Sequence, residues 1–370
     1  MSSASKVYFA PRRSGLSSLV MDRLKQLIKL MDLPAGIKEN DTVAVKLHFG
    51  ERGITSFLRP VYVRPFTDAV RSCGGLPFLT DANTIYRGTR SDGVRHLETA
   101  LRNGFSYTAT GAPVVIADGI DSGNYVEVEV NLEYFKTVRV AGEAHRAKCL
   151  LVLSHVKGHE IFGFGGALKN IGMGLAVKEG KFELHSTAKP EVKKKKCTLC
   201  GTCKRWCPQG GIELEKESAV IISEDCSGCG QCIMVCPAKA VSLRWDTDFS
   251  AVQKKTAEYA AAVMSSKKGR AWFFNFLTDI TPECDCYRYS DSPVVPDIGV
   301  LASRDPVALD QASLDLVAGA PALVGSKAEG AMPGEDKFVR SHPGTDPEVL
   351  VSRSEDLGLG TRKYSLIKIS

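Results

Sequence analysis

Eight of this chain's twelve cysteines fall into two copies of one spacing. Cys197, Cys200, Cys203 and Cys207 precede Pro208, and Cys226, Cys229, Cys232 and Cys236 precede Pro237. Each run reads C-x2-C-x2-C-x3-C-P, a spacing at which thiolates hold a cubane iron–sulfur cluster. Three thiolates two residues apart converge on one cluster only if the chain curls tightly around it, with backbone N–H groups aimed at the sulfurs. The fourth, before the proline, points away and reaches the other cluster. The spacing therefore predicts two [4Fe-4S] clusters, one on Cys197, Cys200, Cys203 and Cys236, the other on Cys226, Cys229, Cys232 and Cys207. Gly201, Gly228 and Gly230 supply backbone freedom for such loops.

Structural zinc is the main competitor, but two C-x2-C pairs would suffice for it, leaving the third cysteine, the x3 step and the proline unexplained twice over. Disulfides fit worse, because nothing marks the chain as secreted. The repeat suggests a small pseudo-symmetric unit resembling the bacterial two-cluster ferredoxins, spanning 191–246. A short helical start is expected after each proline, then an apolar stretch (Ile212 to Leu214; Ala240 to Leu243). So short a segment buries little core, so the clusters would hold it together.

A second set of residues falls at expected strand ends. Lys46 and His48 close one strand, Asp81-Ala82-Asn83 follows another, and His155 to His159 follows a third. Gly163-Phe164-Gly165-Gly166 then leads into Ala167-Leu168-Lys169-Asn170, where a helix start would offer free N–H groups to an anion. The turn has neither the Walker nor the Rossmann spacing. The expected assignment is Lys157, His159, Lys169 and Asn170 for catalysis, with Lys46, His48, Gly165 and Gly166 binding a small anionic substrate or cofactor. Surface or core roles are the plainer alternative for such lysines and histidines. Cys284 and Cys286 form a C-x-C pair that is a possible additional metal or cluster site with His48, His155 or His159. The pair would equally serve as a redox dithiol or as two buried thiols. Cys73 and Cys149 read as packing residues.

The elements that must position these groups alternate. Strands are expected over Lys6–Ala10, Thr42–Phe49, Pro77–Asp81, Pro113–Ala117, Cys149–His155, Ala271–Leu277, Ile298–Ala302 and Tyr364–Ile369. Helices are expected over Leu16–Leu33, Val63–Ser72, Val94–Asn103, Ala251–Ser266 and Asp305–Val317, with loop over Gly319–Pro347. This rhythm predicts an α/β fold, a doubly wound and mostly parallel sheet built from 1–190 and 247–370. The α+β ferredoxin-like two-cluster module, 191–246, would be inserted between the two flanks.

Net charge is +6 on 370 residues, too diffuse to argue for nucleic-acid binding. No apolar run reaches membrane-spanning length and no signal peptide is legible at the N-terminus, so a cytoplasmic protein is expected. Lys189, Lys193 to Lys196, Lys204 and Arg205 form a local basic cluster. It is either a solvated face or a docking patch for an acidic electron-transfer partner protein.

The stretches Lys157-Gly158-His159, Gly165 to Asn170, Cys284-Asp285-Cys286, Pro296 to Gly299 and Asp305 to Asp310 resemble the uncharacterised iron–sulfur-centre proteins of domain-of-unknown-function family 362. The resemblance implies the fold and a ferredoxin insert at this position, and it leaves the substrate open. A distant similarity to nickel-cofactor lactate racemases comes with no motif that carries their chemistry over. The leading expectation is an iron–sulfur redox protein relaying electrons to a site in the α/β domain, possible oxidoreductase chemistry. The alternative is a non-catalytic electron carrier or metal/cluster assembly protein that uses Cys284 and Cys286. Racemase or isomerase chemistry leaves the clusters without a task.

Overall fold

The computed structural model describes residues 4–13, 19–85, 88–185, 190–226, 231–243 and 248–369. Its main sheet has seven strands: β1 (Ser5–Pro11), β2 (Thr42–Lys46), β3 (Leu76–Thr80), β4 (Cys149–His155), β5 (Ala271–Leu277), β6 (Gly299–Ser303) and β7 (Tyr364–Lys368). Their order across the sheet is β7-β1-β6-β5-β4-β2-β3. β6 runs antiparallel to both of its neighbours, and the other four pairings are parallel. The sheet is thus mostly parallel and draws strands from both sides of the cysteine runs.

The strand sequences explain its burial. β4 (CLLVLSH) and β5 (AWFFNFL) are buried at every position, as expected for central strands covered on both faces. Alternate residues feed different cores. Leu150, Val152, Ala271 and Phe273 join one apolar cluster, while Cys149, Leu151, Leu153, Trp272, Phe274 and Phe276 join the other. Cys149 is fully buried in that second core, a packing thiol whose burial raises its pKa.

Helices fill the layers close to their expected places: Val20–Leu30, Arg64–Ser72, Gly93–Arg102, Phe249–Ser265 and Pro306–Gly319. The last starts where Asp305 Oδ1 accepts the N–H groups of Val307 and Ala308, both at 2.9 Å, with Pro306 at its first position. Residues 14–18, at the start of the expected first helix, lie outside the described residues. One expected strand fails. Pro113–Ala117 makes only a single bridge, Val114 to Leu79, because Pro113 brings no N–H to a ladder.

Residues 190–243 form small elements of their own. Pro190–Val192 pairs antiparallel with Val241–Leu243, and Ile212–Leu214 with Ala219–Ile221. The helices Thr202–Trp206 and Gln231–Val235 precede each Cys-Pro step, not follow it, and turns follow the prolines. The five buried residues Cys203, Ile212, Ala219, Cys232 and Val241 are its core. Among the described residues, no helix is long and apolar enough to cross a membrane.

Candidate functional site

At the C-terminal edge of the parallel strands lies a polar cavity of about 70 Å3. This is the edge where open α/β sheets place ligands. Its wall brings together Lys46, His48, Lys157, Gly165, Gly166, Lys169, Asn170, Cys284 and Cys286, from four separate stretches of the sequence. Arg90, Lys181, His185 and Asp81 complete it.

Lys46 ends β2, fully buried. Its Nζ lies 3.0 Å from Asp81, which follows β3, and donates to Asn170 Oδ1 at 2.5 Å. Asn170 in turn donates to Leu153 O at 3.2 Å and Ser154 Oγ at 3.0 Å. In this geometry the Asn170 amide is tied to β4 and holds Lys46 Nζ in place. Burial lowers the Lys46 pKa against the opposing pull of Asp81. Gly174 must be glycine here, since a Cβ would meet Asn170 O at 2.0 Å and Lys46 Nζ at 2.8 Å.

A second charged knot centres on Asp285. It lies 2.9 Å from His155 Nδ1, 3.3 Å from Lys157 Nζ and 3.8 Å from His48 Nδ1. Burial alone would raise its pKa, but His155 and Lys157 bring it down to about 2. The remaining His155 nitrogen faces Thr278 O at 2.9 Å. Asp285 and Cys286 occupy a turn closed by Tyr287 N–H donating to Cys284 O at 3.0 Å. That turn sets Cys284 Sγ 3.2 Å from Cys286 Sγ, with His48 Nε2 3.5 Å beyond it. The Cys284 thiol donates to Cys286, whose pKa falls to about 6, helped by Arg90 and Lys169 against the cost of burial. The same hydrogen bond and burial push Cys284 well up. Burial and the surrounding cations hold His48 neutral.

Cations outnumber anions. Lys46, Arg90, Lys157, Lys169 and Lys181 line the cavity with Asp81, while Asp285 stands behind Lys157. Arg90 is 1% exposed, 3.6 Å from Asp81 and 3.5 Å from Glu51. Its Nη2 has no close hydrogen-bond partner among the described residues, although the guanidinium faces Cys286. Lys169 Nζ stands 5.2 Å from the Phe162 ring centroid and 4.0 Å from Cys284 Sγ. Lys181 donates to Asn83 O at 2.7 Å, and burial brings its pKa to about 8.

Two expectations are corrected. The helix start after Gly166 does not offer free N–H groups. Ala167 and Leu168 donate theirs to Asp310, at 2.7 and 2.9 Å, and Asn275 donates a third bond at 2.8 Å. Gly166 admits that carboxylate, because a Cβ would stand 2.4 Å from Asp310 Oδ1. Burial raises the Asp310 pKa to about 6. His159 does not line the cavity. Its Nδ1 closes the following turn by accepting the N–H groups of Ile161 at 3.1 Å and Phe162 at 3.4 Å. Nor do His155 and His159 join the C-x-C pair; His48 alone reaches it. Among the described residues, no three His, Cys, Asp or Glu side chains gather closely enough for a single metal ion.

Arg90 was invisible in the sequence, one of two arginines in the loop between β3 and the helix Gly93–Arg102. Lys181 and His185 were missed as well, although their i, i+4 spacing on the helix Lys178–His185 places both on one face.

In the cysteine-rich segment, two further clefts line up the repeats crosswise. One is walled by Cys197, Cys200, Cys203 and Cys236. The other is walled by Cys207, Cys226 and Cys232; Cys229 lies outside the described residues. Ala219 N–H donates to Cys197 Sγ at 3.4 Å, and Ala240 N–H to Cys236 Sγ at 3.2 Å. The segment touches the larger domain beside the C-x-C turn, where the Arg288 guanidinium sits 5.4 Å over the Trp206 ring.

The fold and cavity define a mixed α/β protein with a cationic crevice at a topological edge of a mostly parallel sheet. The chain belongs to the family described as Domain of unknown function (DUF362), whose profile matches residues 43–315. No curated protein matches it. Among solved structures, the lactate racemase apoprotein from Thermoanaerobacterium thermosaccharolyticum is similar at 14% identity and a TM-score of 0.36, covering 74% of this chain and 51% of that one. A Thermotoga maritima protein is similar at 12% identity and a TM-score of 0.39, covering 70% and 49%. The chain thus spans about half the length of either structure, and likenesses this weak carry no functional argument.

Proposed function

We propose that the protein is an iron–sulfur redox protein in which two [4Fe-4S] clusters relay electrons to a small anion bound in the α/β crevice. The observation that carries this reading is the crosswise lining of the two clefts. A single-ion site draws its donors onto one point. A cubane is larger and takes its thiolates at its corners, so four cysteines around a cleft suit the cluster better than zinc. Amide donors aimed at Cys197 and Cys236 are the kind of contact that tunes cluster potential. The clefts are narrow, about 20 Å3 each, so seating the clusters spreads the cysteine loops. The small apolar core of that segment leaves room for such adjustment.

At the other end, the excess of cations selects an anion, and the cavity's size limits it to a short carboxylate or a phosphate-sized group. Arg90 and Lys169, which also stand beside the C-x-C sulfurs, supply donors from the cavity wall. Bound clusters supply one-electron transfers; the chain's own groups bind, orient and desolvate the anion.

Anaerobic iron and sulfide analysis with electron paramagnetic resonance tests the reading. The wild type is expected to carry about eight irons per chain. Cys203→Ser and Cys236→Ser should erase one and the same cluster signal, and Cys207→Ser the other. Zinc in place of iron, or Cys236→Ser grouping with Cys226→Ser, overturns the assignment.

A further inference from the structure

We infer that Cys284 and Cys286 are a dithiol/disulfide couple, the two-electron terminus at which electrons from the two clusters are paired beside the bound anion. The inference rests on the cluster reading above and adds a site and a step to it.

The geometry has four parts. The turn that Tyr287 closes places Cys284 Sγ in hydrogen-bond contact with Cys286 Sγ, at 3.2 Å, so the sulfurs need only a short approach to bond. Both sulfurs line the crevice rather than the apolar core. Arg90 faces Cys286 and Lys169 Nζ lies 4.0 Å from Cys284, an electropositive setting that favours a thiolate and hence exchange chemistry. Finally, Arg288, two residues past Cys286, stacks on Trp206, the residue before cluster cysteine Cys207. The pair therefore stands where the cysteine-rich segment meets the larger domain. Two buried thiols serving only as packing would need neither the cations nor this placement.

The step balances. In the reduced state Cys284 carries a thiol and Cys286 a thiolate. Oxidation forms the Cys284–Cys286 sulfur–sulfur bond, breaks the Cys284 S–H bond, releases one proton to water in the crevice and gives up two electrons. Bound clusters would serve as the one-electron partners for this exchange. Running backwards, two electrons and one proton taken from water in the crevice would cleave the sulfur–sulfur bond and regenerate the Cys284 thiol and the Cys286 thiolate. The couple converts one-electron deliveries into the two-electron currency that most small carboxylates require.

Coulometric titration of the anaerobic full-length holoprotein, with mediator dyes and peptide mapping of alkylated thiols, tests this. The wild type should take up about four electrons per chain, two into clusters and two into the pair. Cys286→Ser and Cys284→Ala should each take up about two while keeping about eight irons. In the oxidised wild type, Cys284 and Cys286 should resist iodoacetamide; after dithionite, both should be labelled. A wild type with about eight irons that takes up only two electrons overturns the couple alone. So does a ninth metal that is lost in Cys286→Ser. A chain without iron overturns both readings, since the pair then has no electron partner.

Discussion

The two chemically rich regions of this protein are built on opposite principles. In the cysteine-rich segment the donors sit at fixed short spacings, and among the described residues five buried side chains form its small core. In the crevice the donors come from at least five separate stretches, held by two extensive apolar layers on either side of a seven-stranded sheet. With so small a core, the first region is expected to depend on the proposed clusters for its order. The second is organised by its own packing and charge pairs, and can wait for a ligand. Local spacing makes a site legible but fragile; remote assembly makes one robust but hard to read.

The sharpest way to break this contrast is to remove iron. Chelation under mild anaerobic conditions, or Cys203→Ser, should open residues 190–243 to limited proteolysis while the sheet stays intact. Metal-coupled folding of small domains leads to that expectation. Loss of the main sheet's amide protection in the same experiment would show that the two regions are not energetically separate.

Next in size is the crevice scaffold. Asp310→Ala removes three hydrogen bonds from a buried carboxylate and strands the N–H groups of Ala167 and Leu168. A loss of roughly 3 kcal/mol in urea unfolding is expected. Cluster signals should be unchanged.

Asp285 gives a pH test of similar kind. Its folded pKa is depressed to about 2 from 3.8, so its stabilisation is fully present above about pH 4 and is lost as pH falls toward 2. That amounts to roughly 2 kcal/mol. Asp310 has the opposite sign: its folded pKa is raised to about 6, so its effect favours the fold below about pH 4 and fades as pH rises toward 6. Comparing Asp285→Asn with wild type by urea midpoint against pH should isolate the acid-side loss; a difference that persists unchanged from pH 2 to 5 would refute the ion-pair account.

Smaller effects address the anion and the partner. Lys169→Ala should weaken anion binding by roughly ten- to a hundredfold, the worth of one charge-assisted hydrogen bond, while leaving stability within about 1 kcal/mol. Calorimetry with phosphate and short carboxylates measures the first, urea unfolding the second. Replacing the exposed Lys194, Lys195 and Lys196 with serine should slow reduction by an acidic carrier several-fold at low salt, and not at high salt. An unchanged rate at low salt makes them a solvated face.

Much of the fold was readable because its signals are local. The apolar runs of β4 and β5, the Asp305-Pro306 helix start and the alternation of strands with amphipathic helices each reflect neighbours in sequence. Pro113–Ala117 was misread for want of a partner: β3 offers it one bridge, and a proline cannot extend the ladder. Lys46, Lys157 and Lys169 were legible as strand-end or helix-start cations. His159 looked equivalent to them, but its Nδ1 is spent on the turn that follows. Arg90 had no local signature, since its role depends on Asp81, Glu51 and Cys286 being brought around it.

The sequence by itself determined the class of fold and the repeated spacing of eight cysteines, because periodicity and short-range spacing are properties of neighbouring residues. Only the tertiary structure decided that Asp310, not a ligand, takes the N–H groups at the Gly166 turn, that Asn170 holds Lys46, and that Cys284 and Cys286 face a cationic crevice. Each of those is a contact between residues far apart in the chain, set by how the sheet's edge gathers its loops.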